Sequence, residues 1–268
     1  MTDIIEMQII DEKPVDADVD FCGEYISGAD RYDEGFDAGF NAGVDKGFAD
    51  GREAGYTEGK QAEYDRFWDT YQQNGNRTNY ETAFAGEGWT NETFKPKYSM
   101  QPINTYMMFR NSQITGDFVK LLEGLNITLD ISKCRNSNYM FYGTKFERLG
   151  VISCISGSSI AYAFAHSTQL KTIDKLILNE AGSTAFTSTF DGCSRLENIT
   201  VEGAIGNNIS LHVSPLTVAS MNSIISCLKD YSATGGTHTL TFKADRETML
   251  TDEEKAAATG KGWTLVWN

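Results

Sequence analysis

Three histidines, five cysteines and 37 carboxylates are the side chains of this 268-residue chain that could move protons, attack carbon or hold a metal. Their spacing equips them for none of these. His166 falls inside a turn, His238 opens a strand and His212 lies in a third context, so no Ser/His/Asp or Cys/His arrangement with a local signature forms. Cys22, Cys134, Cys154, Cys193 and Cys227 are odd in number and far apart, with no CxxC pair and no histidine-rich partner spacing. That pattern indicates neither a zinc site nor a disulfide framework, and it suits reduced thiols in a protein made in the cytoplasm. Cys154 and Cys193 sit among apolar residues, the ordinary setting of a buried small hydrophobe. Gly235-Gly236-Thr237 reads as a turn, because no GxxxxGK[ST] pattern follows a strand. The acids are plentiful but single out no pair. The expectation is a protein that is not an enzyme, with no catalytic residue, no cofactor and no metal.

A chemistry of bare backbone is written into residues 35–59, GFDAGFNAGVDKGFADGREAGYTEG. Glycine recurs at every fourth position, Gly35, Gly39, Gly43, Gly47, Gly51, Gly55 and Gly59, with no proline among them. A helix turns about 100° per residue, so each four-residue step drifts by about 40° and the stripe winds through roughly 240°. A row of Phe36, Phe40, Val44, Phe48, Arg52, Tyr56 and Lys60 drifts beside it. Backbone without side chains lets another chain come close while rings fold over the contact, and a repeat this long favours right-handed winding. Each interior glycine costs up to about 1 kcal/mol relative to alanine, on the order of 5–7 kcal/mol for the set. Such a helix needs a partner surface, from another copy or another protein. The interface expected on it comprises Gly35, Phe36, Gly39, Phe40, Gly43, Gly47, Phe48, Gly51, Gly55, Tyr56 and Gly59. Small-xxx-small spacing also packs membrane helices, but the interspersed acids exclude a bilayer. A glycine-rich, acidic, disordered linker is the competing reading.

Charge separates this front segment from the rest. Residues 1–63 carry 17 of the 37 acidic and 5 of the 23 basic side chains, net −12, so almost all of the overall −14 belongs to them. An acidic arm repels phosphate backbones and anionic lipids, which disfavours nucleic acid and membrane surfaces as partners. It is either a solvated, solubilising segment or an acidic docking arm. MTDIIEMQIIDEK has acids where a secretory leader needs bases, and no stretch approaches eighteen uncharged apolar residues. Neither an export signal nor a membrane span is expected.

The elements behind the ladder follow from periodicity. Residues 60–73 read as a helix with Tyr64, Phe67, Trp68 and Tyr71 on one face, stopped at Asn74-Gly75. NYETAFAG reads as a short helix and NETFKPKYSMQP as an extended link. TGDFVKLLEGL (115–125) is an amphipathic helix, and NITLDIS alternates as a half-buried strand does. Near the end, residues 214–232 form a helix with Val218, Met221, Ile224, Ile225 and Leu228 inward and Ser214 or Thr217 as N-cap. THTLTFKA is a strand, LTDEEKAAATGKG a helix and WTLVW a last strand.

Between residues 106 and 202 a repeat emerges when phenylalanines are aligned at Phe109, Phe141, Phe164 and Phe190. Each is followed by two residues, a small Ser/Thr/Cys and then an apolar anchor. The last two copies agree position for position: Phe164, Ser167, Leu170, Ile173 against Phe190, Cys193, Leu196, Ile199. Periods of 20 to 29 residues with Leu/Ile anchors signal a leucine-rich solenoid whose units must stack to bury their apolar faces. The expected core is Phe109, Phe141, Phe164, Leu170, Ile173, Phe190, Cys193, Leu196 and Ile199.

TFDGCSRLENI and AFAHSTQLKTI resemble the AFxxCxxLxxI hallmark of BspA-type leucine-rich repeats of bacterial surface and mobile-element proteins, over about 100 residues. The glycine ladder resembles runs in small eukaryotic adaptors of iron–sulfur protein assembly and in flagellar export regulators, but imports neither function. The expected architecture is α+β: an acidic arm (1–30), the Gly-xxx-Gly and aromatic helix (31–75), a linker with a short helix (76–104), a leucine-rich-repeat solenoid (105–213) and an α/β cap (214–268). The whole layout resembles proteins of gut phages and prophages. It implies a structural or accessory virion protein that self-assembles or attaches through its N-terminal helix. The solenoid would bind another virion protein, or a host-surface protein or glycan. An intracellular adaptor using the acidic ladder is the alternative. Exposed Lys171, Lys175, Arg195 and Glu197 fit recognition or plain solvated surface.

Overall fold

A computed structural model describes residues 79–96, 98–156 and 159–268; the acidic arm and the glycine ladder lie outside them. In five segments the described chain makes the same turn around a buried phenylalanine, Phe84, Phe109, Phe141, Phe164 and Phe190, none more than 1% exposed. Two residues before each ring (Thr82, Met107, Tyr139, Tyr162, Ser188) φ is positive, between 48° and 56°. Two residues after it (Gly86, Asn111, Gly143, His166, Gly192) φ is positive again, between 59° and 95°. L-residues avoid this region by about 1–2 kcal/mol each, so the surrounding contacts must impose it.

Hydrogen bonding shows what imposes it. The phenylalanine N–H donates across to the following unit: Phe109 to Met140 O at 2.8 Å, Phe141 to Ala163 O at 2.7 Å and Phe164 to Thr189 O at 3.1 Å. The left-handed residues do the same, as Tyr139 to Ala161 O and His166 to Asp191 O. The intervening N–H groups fold back three residues within their own unit, as Ala165 to Tyr162 O and Ser167 to Phe164 O. At the unit's start, Asn79, Asn104, Asn136 and Ser159 accept the N–H two residues ahead through a side-chain oxygen. Such Asx and Ser turns satisfy a donor that neither ladder reaches. Alternate donors serve the coil and its neighbour, which is why the units lie one on another.

The rings form a column. Phe84 stacks on Phe109 at 5.1 Å, Phe109 on Phe141 at 5.5 Å, Phe141 on Phe164 at 5.9 Å and Phe164 on Phe190 at 5.5 Å, all within 26° of parallel. Phe118 and Phe146 meet this column edge-on. The small residue three after the ring has a defined task. Ser167 Oγ donates to Phe141 O at 2.6 Å and Cys193 Sγ to Phe164 O at 3.0 Å, so in these two units a buried hydroxyl or thiol ties the unit to the one before, whereas Thr144 Oγ1 donates to Phe141 O within its own unit.

The segment from Asn79 to Gly86 departs from the sequence expectation. It is not a helix but a fifth unit of the same turn. Packing of Phe84 on Phe109 overrides its local helical pattern, and Trp89 meets Phe84 edge-on at 5.2 Å. NITLDIS likewise forms a single parallel bridge, Met100 to Leu129, rather than a strand.

After the turn each unit extends. Strands β1 (Thr115–Asp117), β2 (Lys145–Ser153), β3 (Thr172–Ile177) and β4 (Asn198–Glu202) form a parallel sheet in sequence order. Leu149, Ile173 and Ile199 share one register and Ile152, Leu176 and Val201 the next, all buried. Leu170 and Leu196 fill the corner between turn and strand, each at most 1% exposed. Helix α1 (Phe118–Gly124) is inserted after β1 and capped by Asp117, whose carboxylate accepts from the N–H groups of Val119 and Lys120.

A second parallel sheet continues the stack: β5 (Ile209–Leu211), β6 (His238–Phe242) and β7 (Trp263–Trp267). Leu211 takes the place of the phenylalanine, since Ser214 N–H returns to Leu211 O as Ser167 does to Phe164. Helix α2 (Val218–Ser226) has Thr217 as its N-cap, and α3 (Asp252–Thr259) opens with a Thr251/Glu254 capping box after a short 3-10 turn, Ala244–Met249. Helix α2 closes the free edge of β4. Ser220 Oγ accepts the Ile199 N–H at 3.0 Å and Ser223 Oγ the Val201 N–H at 2.8 Å, where another strand would otherwise pair. The described residues thus form a mixed α and β fold with parallel sheets of four and three strands and few helices. Among them, no helix is long and apolar enough to cross a membrane.

Candidate binding surface

The residue just before each buried phenylalanine is buried with it, but other side chains of the turns are left partly exposed. These include Tyr106, Tyr139, Tyr142 and Tyr162, all half-buried, with Arg110 and the exposed His166. Stacking of units brings them together. Tyr139 and Tyr162, both left-handed residues two before their phenylalanines, lie face to face at 4.7 Å and 7°. Tyr106 meets Tyr139 edge-on at 6.1 Å, Tyr142 leans on Tyr139 at 5.6 Å, and His166 packs edge-on against Tyr142 at 5.1 Å.

Arg110 completes the surface. Its guanidinium carbon stands 5.7 Å from the centre of the Tyr142 ring, a cation–π contact, and Nη1 lies 3.7 Å from Met107 Sδ. Its Nε is buried without a hydrogen-bond partner, and no acid pairs with it among the described residues. Burial raises the Tyr139 phenol above its ordinary range, reinforced by Tyr162 and Tyr106, so it remains a proton donor. Rigid aromatic rings, phenolic donors and arginine are the groups that dominate interface hot spots, the rings at low cost in side-chain entropy. Nothing in the arrangement activates a nucleophile.

Gly143 lets the outer positions coexist. A Cβ there would run into Asn111 Oδ1, the side chain at the equivalent position of the preceding unit. Glycine therefore alternates with Asn111 and His166 along this column, Gly86, Asn111, Gly143, His166, Gly192.

The strand side of the molecule is charged but self-neutralised. Arg148 binds Asp174 through Nε and Nη2 and Asp117 through Nη1, Lys171 pairs with Glu147, Lys175 with Glu202, and Arg195 Nη1 donates to Gln169. Glu197 is exposed there. A groove of about 290 Å³ between α1 and β2 is lined mainly by apolar side chains, with only Glu123 and Thr128 polar.

The histidines and cysteines are dispersed. His212 Nδ1 lies 3.1 Å from Ser210 Oγ, and His238 stacks on Tyr231 at 3.8 Å. Cys134, Cys154 and Cys193 are buried, and desolvation pushes the thiols of Cys154 and Cys193 up to about 12, leaving them unreactive near neutral pH. Among the described residues no three His, Cys, Asp or Glu side chains gather as a metal would need. The structure places the expected core residues Phe109, Phe141, Phe164, Leu170, Ile173, Phe190, Cys193, Leu196 and Ile199 in one buried cluster. The ladder glycines, with Phe36, Phe40, Phe48 and Tyr56, lie outside the described residues. Sequence alone does not single out these tyrosines, although aligning positions outward from each phenylalanine exposes them. Comparison with protein-family models, curated proteins and solved structures finds no match to this chain.

Proposed function

We propose that this chain is a non-enzymatic recognition protein: a short leucine-rich-repeat solenoid of BspA type, displayed by an N-terminal segment that assembles or attaches through its glycine ladder. The reading rests foremost on the tyrosine–arginine surface, a cluster suited to binding and equipped for no reaction. Even stacking of the phenylalanine units supports the solenoid. The resemblance in layout and repeats supports a structural or accessory virion protein of a phage or prophage, binding a host-surface protein or glycan or another virion protein.

The test compares the full chain with its Tyr139→Ala/Tyr142→Ala variant on arrays of bacterial envelope glycans and purified envelope proteins. Both residues are half-buried and outward, so the variant is expected to stay folded. Binding by the wild type and a loss of about tenfold or more in the variant, worth 1.4 kcal/mol, supports the reading. Binding that ignores the substitution, with circular dichroism unchanged, rejects the tyrosine surface.

A further inference from the structure

Among the described residues, β7 is an edge strand of the three-stranded sheet. Leu211, Phe242 and Trp267 share one register, and Ile209, Leu240 and Leu265 another. The β5 and β6 members of both rows are buried, whereas Leu265 and Trp267 on β7 are only half-buried. The backbone shows the same one-sidedness. Asn268 N–H donates to Phe242 O and Asn268 O accepts from Ala244 N–H, so Asn268 and the residues in phase with it, Val266 and Thr264, face β6. Leu265 and Trp267, out of phase, direct their N–H and C=O away from β6. No other strand pairs with β7 among the described residues. The β4 edge has the serines of α2 to cover it; β7 carries no charge, no proline and no bulge in its five residues.

We propose that β7 is where two copies of this chain join, antiparallel, about a two-fold axis through Leu265. A row of unpaired donors and acceptors is matched in full only by another extended backbone, and WTLVW is complementary to itself. Leu265 then faces Leu265 of the second copy, and Trp263 faces Trp267, all on the inward side, where cross-strand apolar and aromatic pairs stabilise a sheet. Thr264 faces Val266 on the outer side, so every facing pair is uncharged. A two-fold pairing uses the same patch twice and closes at the dimer. This surface shares no residue with the tyrosine cluster.

Amide hydrogen exchange on the full chain, read at Leu265 and Trp267, tests the pairing independently of any assembly through the ladder. Exchange at both amides is expected to slow by about tenfold or more as protein concentration rises a hundredfold, by mass action. Thr264→Lys/Val266→Lys, two exposed substitutions, sets like charges opposite each other and should abolish that slowing; Thr264→Lys/Val266→Glu should restore it. Exchange that is fast at every concentration overturns the proposal. So does protection independent of concentration, since a segment of the same chain then covers the edge, and so does protection indifferent to the lysine pair.

Discussion

Removing the two serines of α2 that satisfy the edge of β4 isolates one physical claim about how the sheet ends. Ser220 Oγ accepts the buried Ile199 N–H and donates to Glu197 O, while Ser223 Oγ accepts the Val201 N–H. Ser220→Ala/Ser223→Ala leaves two strand donors without a partner, and each costs about 1–3 kcal/mol. Alanine favours a helix by about 0.5 kcal/mol per site, which offsets part of the loss. The net expectation is destabilisation by about 1–5 kcal/mol, measured by urea titration, with an unchanged slope. Site-resolved hydrogen exchange sharpens the test, because Ile199 and Val201 amides should lose protection before those of β2. Ser226→Ala, on the exposed face of the same helix, should stay within about 0.5 kcal/mol of the wild type. Wild-type stability in the double variant, with both amides as protected as before, would refute the claim that these hydroxyls close the sheet.

Other perturbations probe the rest of the chain. Leu170→Ala and Leu196→Ala each empty a buried corner and should cost about 2–5 kcal/mol; an unchanged melting temperature in either would contradict the packing described. Gly43→Leu/Gly47→Leu/Gly51→Leu should block assembly through the ladder, and light scattering that returns the wild-type mass would count against close backbone approach there. The thiols of Cys154 and Cys193 rise from a reference value of 9.0 to about 12 on burial. Their protonated form is favoured in the fold, so stability holds below about pH 9 and falls as pH climbs towards 12. Melting temperatures across that range check the slope, which Cys154→Ala should lessen. At pH 8 neither thiol should alkylate until the protein unfolds.

The sequence disclosed whatever repeats locally. Phe109, Phe141, Phe164 and Phe190 stand out as a series because each is followed three residues on by a Ser, Thr or Cys and five or six residues on by an apolar anchor, and burial demands that order in every copy. The helix at 218–226 and the strands at 238–242 and 263–267 are legible from their periodic apolar faces, and the helix at 252–259 from its helix-forming run stopped by glycine. The unit around Phe84 was not legible, since its pattern reads as a short helix and only contact with Phe109 decides otherwise.

Tertiary structure alone decided the left-handed turns, the grouping of the tyrosines and the sheet edges among the described residues. Nothing local asks Tyr139 or Tyr162 to take a positive φ; the hydrogen bonds that each unit sends to its neighbour do. Tyr106, Tyr139 and Tyr162 lie more than twenty residues apart in the chain and meet because stacking brings equivalent positions of successive units side by side. Ser220 and Ser223 reveal a role only once β4 lies beside α2, and β7 emerges as an edge among the described residues only once β6 has claimed its other side. Periodicity specifies which residues turn inward, whereas the partners of the backbone groups are fixed only when distant units come into contact.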